Sequence, residues 1–182
     1  DDYIGELIAA LKVADTAVLV VNSQNGVEVG TEITWRSINR LEKPAVFLMN
    51  QLEHEKANFE ESVRQLKAQF GDKVMVVQYP VNQGHGFDTI VDVLKMKMYK
   101  FPVGGGKPEI LDLPASEAGK AEEYRNAIVE AAAESEEALM ELFFENGVLT
   151  DEELARGIRQ GIATRTMYPI FCVSGKNNQG VG

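Results

Sequence analysis

The chain has 182 residues, with 28 acidic and 18 basic side chains, a net charge of −10, and one cysteine. At 45% hydrophobic and 25% charged residues it has the composition of a globular protein able to bury its own core. No apolar run reaches membrane-span length, no signal-peptide pattern opens the chain, Cys172 has no disulfide partner, and the acidity excludes dominant binding to nucleic-acid phosphate, so a cytoplasmic protein is expected.

Ile4, Leu7, Ile8 and Leu11 recur at helical spacing and predict an amphipathic helix over 2–13. Asp1 lies almost inside that helix with no Met ahead of it, which points to a fragment. Thr16 to Val21 is an apolar, β-branched run ending at Asn22 and reads as a buried parallel strand. After the turn at Gln24-Asn25-Gly26, a helix is expected over about 29–41 with Ile33, Ile38 and Leu41 inward. Pro44 to Met49 is a second buried strand, and a helix with Phe59, Val63, Leu66 and Phe70 on one face follows. This alternation predicts an α/β fold with a doubly wound parallel sheet.

Near Gly71 the pattern changes. Val74 to Tyr79 reads as one strand, and Ile90 to Tyr99 as another that sets Leu94, Met96 and Met98 against Lys95, Lys97 and Tyr99. Gly104-Gly105-Gly106 then breaks the chain. Three acidic helices are expected at about 117–133, at 136–145 (closed by Asn146-Gly147), and after a capping box of Thr150 with Glu153. Residues 109–160 hold 14 acidic and 4 basic side chains, so the remainder of the chain is neutral. Tyr168 to Val173 is the last strand. Residues 1–70 and 166–182 are expected to form one α/β core, with 71–165 an α+β insertion within it.

In open α/β sheets, ligands gather outside the carboxyl ends of the strands. Two strands here end in polar signatures, Asn50-Gln51-Leu52-Glu53 and Ser174-Gly175-Lys176. Together they suggest a guanine pocket. A carboxylate at the fourth position can accept from guanine N1–H and the exocyclic amine, an Asn side chain can meet the base edge and brace the neighbouring loop, and backbone N–H groups after Ser174 can donate to O6. Adenine would place a lone pair against the carboxylate and leave buried polar groups unpaired. Each signature alone is also an ordinary turn.

Further segments carry a family resemblance: Asp2-Tyr3 with Gly5-Glu6, Ala14 to Asn22, Asn25-Gly26-Val27-Glu28, Thr31-Glu32 with Trp35-Arg36, Val91 to Lys97, Gly157 to Gln160, and Phe171 to Val181. With Asn50 to Glu53 standing where the family has Asn-Lys-x-Asp, the chain resembles the guanine-nucleotide domain of bacterial translation elongation factor G along essentially its whole length. The similarity begins at the switch II helix and includes the insertion that separates this factor from most GTPases. It implies a P-loop NTPase-like sheet lacking its N-terminal portion, within a ribosome-dependent GTPase that promotes translocation of tRNA and mRNA. By position, Asn50 and Glu53 would contact guanine, Gln51 would stack on base or ribose, Ser174 and Gly175 would cap O6, and Lys176 would lie across the ring. The resemblance further implies GTP or GDP as ligand, Mg²⁺ in the intact protein, and a ribosomal stalk protein docking on the acidic insertion.

Gln51 and Glu53 depart from the family, which has Lys and Asp there. The added methylene of Glu53 predicts weakened guanine affinity, and the two departures together suggest a paralogous elongation factor G. The phosphate-binding pattern Gly-x-x-x-x-Gly-Lys-Ser/Thr is found nowhere in the sequence. Gly104-Gly105-Gly106-Lys107 comes nearest, but Pro108 follows and no strand leads in, so it reads as a turn. No catalytic residue and no metal ligand is therefore assigned within the 182 residues, and this piece alone is expected neither to hydrolyse GTP nor to hold it tightly. His54 and His85 lack a metal-ligand pattern, Gly84-His85-Gly86 reads as a turn, and Cys172, Met96 and Met98 read as core residues. The acidic helices read either as solvated faces or as a docking surface for a basic partner. Rival readings are a non-catalytic module that keeps the GTPase shape, and another translational GTPase such as release factor 3 or a ribosomal protection protein.

Overall fold

The structure, a computed structural model, describes residues 3–181; Asp1 and Asp2, with which the expected first helix and the switch II resemblance begin, and Gly182 lie outside the described residues. In chain order the first elements are α1 (Ile4–Val13), β1 (Ala17–Asn22), α2 (Val29–Arg40), β2 (Ala45–Asn50), α3 (Phe59–Phe70) and β3 (Val74–Val76). An intervening segment follows, with β4 (Gln78–Pro80), β5 (Thr89–Asp92), β6 (Lys97–Lys100), β7 (Glu109–Asp112), α4 (Ala115–Glu134), α5 (Glu137–Asn146) and α6 (Asp151–Ala163). The chain then returns as β8 (Tyr168–Cys172). Strands β1-β2-β8-β3 form a parallel sheet, and β4-β5-β6-β7 form an antiparallel one. The last strand thus lies between β2 and β3, and its loop emerges beside that of β2.

One face of the parallel sheet is packed by aromatic rings. Trp35 of α2 stacks on Phe47 of β2 at 5.4 Å and meets Phe70 of α3 at 4.6 Å and Tyr168 of β8 at 4.8 Å. The same face buries Leu19, Val21, Met49 and Ile170. The opposite face differs from expectation. Thr16 to Val21 reads as a buried parallel strand, yet among the described residues β1 pairs with β2 alone and its Val18 and Val20 are 59% and 55% exposed. A run of valines looks the same whether or not its second face is covered, so the alternation could not be read in advance.

Caps set the helix ends. The Asn58 side chain accepts from Glu61 N–H at 3.1 Å to start α3, whose first turn also carries Glu60 and Glu61 against the helix dipole. The expected box at α6 is present: Thr150 N–H donates to Glu153 Oε2 at 2.8 Å, and Glu153 N–H to Thr150 Oγ1 at 3.3 Å. Gly147, at φ 72°, ends α5.

Two expected strands are each broken in two. Between Val74 and Tyr79 the chain changes sheets at Val77, whose N–H donates to Ile170 O of the parallel sheet while its carbonyl accepts from Val93 N–H beside the antiparallel one. Strand β3 accordingly pairs with β8, although the sequence groups residues from 71 onward with the second unit. Between Ile90 and Tyr99 a hairpin turn intervenes, because Asp92 Oδ1 accepts from the N–H groups of Leu94 and Lys95 at 3.0 and 3.1 Å and Met96 takes a positive φ of 51°.

The two sheets share one apolar core that runs from Leu19 and Phe47 through Tyr79 and Ile90 to Ile128 and Leu154. A polar clamp reinforces the junction of α3 with α4. Lys120 Nζ bonds Glu60 Oε1 at 2.9 Å and lies 4.5 Å above the Tyr79 ring, while the Tyr79 hydroxyl donates to Glu117 Oε2 at 2.9 Å. Beside it, Gln83 Oε1 accepts from Phe59 N–H at 2.8 Å, satisfying the first amide of α3.

Candidate nucleotide-base site

The carboxyl ends of β2 and β8 lie side by side, since β2 pairs directly with β8 up to Met49 and Cys172. The two polar signatures therefore emerge into the same space. They line a cleft of about 650 Å³ bounded by Asn50, Gln51, Glu53, His54, Glu55, His85, Gly86, Gly175, Lys176 and Asn177. That volume suits a nucleoside-sized ligand. Five of the six residues singled out in the sequence meet there, and the sixth, Ser174, does not line the cleft.

Each residue has a definite local setting. Leu52 is fully buried and anchors its tetrapeptide, with Gln51 exposed at a φ of 62° and Glu53 half-buried on either side. The Asn50 side chain reaches across to the second loop, where Oδ1 accepts from Gly175 N–H at 3.0 Å. Ser174 is buried and shapes its own loop: its N–H and carbonyl pair with Gln179 at 2.9 and 3.0 Å, and its hydroxyl accepts from Asn177 N–H at 3.1 Å. With the Gly175 amide committed to Asn50, the following N–H, of Lys176, meets no protein acceptor among the described residues.

Glu53 carries the chemical signal of the site. Its Oε2 is shielded from solvent and has no hydrogen-bond partner among the described residues. A shielded carboxylate oxygen without a donor is costly, and this one can meet a ligand in the cleft only when the Glu53 side chain turns outward.

Part of the wall could not be foreseen from the sequence. The turn Gly84-His85-Gly86 reads there as a simple connection, yet Gly84 N–H donates to Leu52 O at 2.8 Å and docks the turn on the tetrapeptide. His85 and Gly86 thereby line the cleft, with His85 Nε2 4.0 Å from Glu55 Oε2. Only the tertiary bond brings them there; no local pattern could have marked them.

The remaining candidates stay outside this chemistry. No group of three or more His, Cys, Asp or Glu among the described residues could hold a metal ion. Cys172 is fully buried, with Sγ 3.2 Å from Gln78 O, and burial pushes its thiol well above the ordinary value. No helix among the described residues is long and apolar enough to cross a membrane.

Comparison with known proteins agrees with this geometry. The fold matches the crystal structure of a protein from Thermus thermophilus with a TM-score of 0.89 and 27% sequence identity, over 99% of this chain and 27% of that one. The chain thus spans about a quarter of the length of that relative. The family described as the elongation factor Tu GTP binding domain matches residues 1–182. With its parallel sheet and a family match along the whole length, the chain belongs to the elongation factor Tu GTP-binding domain family of translational GTPases.

Proposed function

We propose that this chain supplies guanine recognition within the nucleotide domain of a ribosome-dependent, elongation factor G-like GTPase that promotes translocation. The observation that carries the reading is the hydrogen bond from Gly175 N–H to Asn50 Oδ1, which ties the two base-side loops into one cleft. Glu53, which lines the cleft, turns its carboxylate outward to accept from N1–H and the 2-amino group of guanine. The Lys176 amide, with Gly175 held beside it, caps O6. Gln51 and the Lys176 stem cover the ring faces, and Ser174 sets the loop from below. Adenine offers neither donor to Glu53 and is rejected.

When bound, GTP supplies the phosphate bond to be cleaved. The 182 residues contain no Gly-x-x-x-x-Gly-Lys-Ser/Thr pattern, so no hydrolytic step is assigned to them. Phosphate binding and hydrolysis belong, in this reading, to the longer protein. The segment from β4 to α6 forms its inserted subdomain, whose acidic helices dock a ribosomal stalk protein through complementary charge. Exposed Phe144 and Val148 at the end of α5, 79% and 67% accessible, would add apolar contact to that surface. A second reading on the same acidic face is a non-catalytic module that keeps the GTPase shape.

The direct test is titration of the ¹⁵N-labelled chain with GMP and, separately, AMP. Shifts at Asn50, Glu53, Gly175 and Lys176 with GMP alone are expected. Equal responses to both nucleotides would reject guanine recognition. GTP hydrolysis by the longer protein would then separate the enzyme from the non-catalytic module.

A further inference from the structure

The three glycines at 104–106 all have positive φ, at 82°, 83° and 116°, but they are not equivalent. A Cβ on Gly104 would meet nothing within 4 Å, and one on Gly106 only Pro102 Cγ at 3.8 Å. Gly105 is pressed against the loop that follows β8. A Cβ there would overlap the carbonyl oxygen of Asn178 and lie 2.8 Å from the carbonyl oxygen of Asn177 and 2.8 Å from Asn178 Cβ. Two of these three neighbours are backbone, which cannot swing aside as a flexible side chain would.

The loop it touches is the one that presents the base-side amides. The Ser174 and Gln179 backbones close it, Ser174 Oγ holds the Asn177 amide, and Asn50 holds Gly175. Asn177 lines the base cleft on one side and meets Gly105 on the other. Asn178 already sits in a tight turn at φ 52°, and on its far side Gly180 is packed so that a Cβ would lie 2.5 Å from Cys172 O and 3.2 Å from Ile90 Cδ1. The loop thus has little room to yield when pushed at 177–178, and a push is relayed to Gly175 and Lys176.

We infer that Gly105 is a positioning residue for base recognition: its backbone contact with Asn177 and Asn178 sets the place of the Gly175 and Lys176 amides in the guanine cleft. The inference rests on the proposed guanine site and extends it, because it makes residues from the intervening segment part of the recognition apparatus. A side chain at Gly105 displaces the loop, whereas one at Gly104 brings similar left-handed strain without the contact.

Gly105→Ala and Gly104→Ala in the full chain give the test. GMP affinity, read by amide shifts, is expected to fall at least about fivefold in Gly105→Ala, the loss of one well-placed hydrogen bond, and to hold within about twofold in Gly104→Ala. The thermal midpoint of Gly105→Ala should lie below that of Gly104→Ala, because only its Cβ must displace backbone. Equal affinity in Gly105→Ala and wild type, or equal loss in both variants, overturns the inference. A wild type that fails to respond to GMP instead rejects the guanine reading. In that event the ligand-free spectra still decide the mechanical claim: Gly105→Ala must shift the Gly175 and Lys176 amides and Gly104→Ala must not, and any other pattern overturns it.

Discussion

Asn50 Oδ1 accepts a hydrogen bond from the backbone of Gly175, a residue 125 positions later in the chain, at 3.0 Å. The bond spans the ends of two adjacent strands, so it fixes the spacing of the two loops as well as the pose of one side chain. Replacing Asn50 with Ala frees the Gly175 amide and lets the loops separate. The expected cost is about 1 kcal/mol of stability, read from the denaturation midpoint, with a larger proportional loss of guanine nucleotide binding. A variant that binds GMP as wild type does would show that the brace is dispensable.

Glu53 places its carboxylate one methylene farther from the backbone than Asp would. Two donors on the guanine edge require one fixed position, and the longer chain must surrender additional rotamer freedom to reach it. Glu53→Asp should therefore tighten GDP binding to the longer protein by about 1–2 kcal/mol, measurable by calorimetry. Unchanged or weaker binding would contradict the geometry drawn for this carboxylate.

The clamp at Glu60 makes a pH-dependent contribution. Burial alone would raise its carboxyl, but the hydrogen bond and charge of Lys120, assisted by Gln83, hold it below the ordinary value of 4.5. A carboxyl depressed in the folded state stabilises the fold above that ordinary value and loses the contribution as pH falls through the lower, folded one. The Glu60 and Lys120 side chains are 53% and 36% exposed, so water screens the pair to at most about 1 kcal/mol. Thermal midpoints followed from neutral to acid pH should fall less steeply for Glu60→Gln than for wild type. Parallel curves would assign the acid sensitivity elsewhere.

Cys172 offers a probe of the core. Its side chain is fully buried, and burial raises the thiol further from its reactive thiolate form. Iodoacetamide should leave the native protein unmodified and label it only as denaturant opens the sheet. Rapid labelling without denaturant would mean that β8 separates readily from its neighbours.

The two cleft loops are legible in the sequence as polar strand ends because their signals are local. Two apolar runs, ending at Met49 and Val173, each stop at a polar turn, and the chemistry of Asn50, Glu53 and Ser174-Gly175 can be read residue by residue. What escaped depends on bonds between distant parts. Val77 lies in an unbroken apolar run, and only its two hydrogen bonds to different sheets reveal the break. Gly84-His85-Gly86 and Gly105 look like ordinary turns until Leu52 and Asn178 are seen against them. Ser174 illustrates a finer limit, since its place at the strand end was read correctly while its inward orientation follows from pairing with Gln179.

The central position of β8 carries a kinetic consequence. Lys73 and Arg165, joined through Nζ and a carbonyl at 3.2 Å, stand 92 positions apart, and the strands beside them cannot pair until the whole intervening segment has been synthesised. Closing about 90 disordered residues would cost about 4 kcal/mol in chain entropy. The segment's own contacts are far more local, each strand of its antiparallel sheet pairing with the next in sequence. It can form early and bring its two ends together before β8 slots between β2 and β3. The cleft proposed for guanine, whose two lips hang from β2 and β8, is then among the last features to mature. A chain stalled before Tyr168 would carry Asn50 and Glu53 with nothing opposite them.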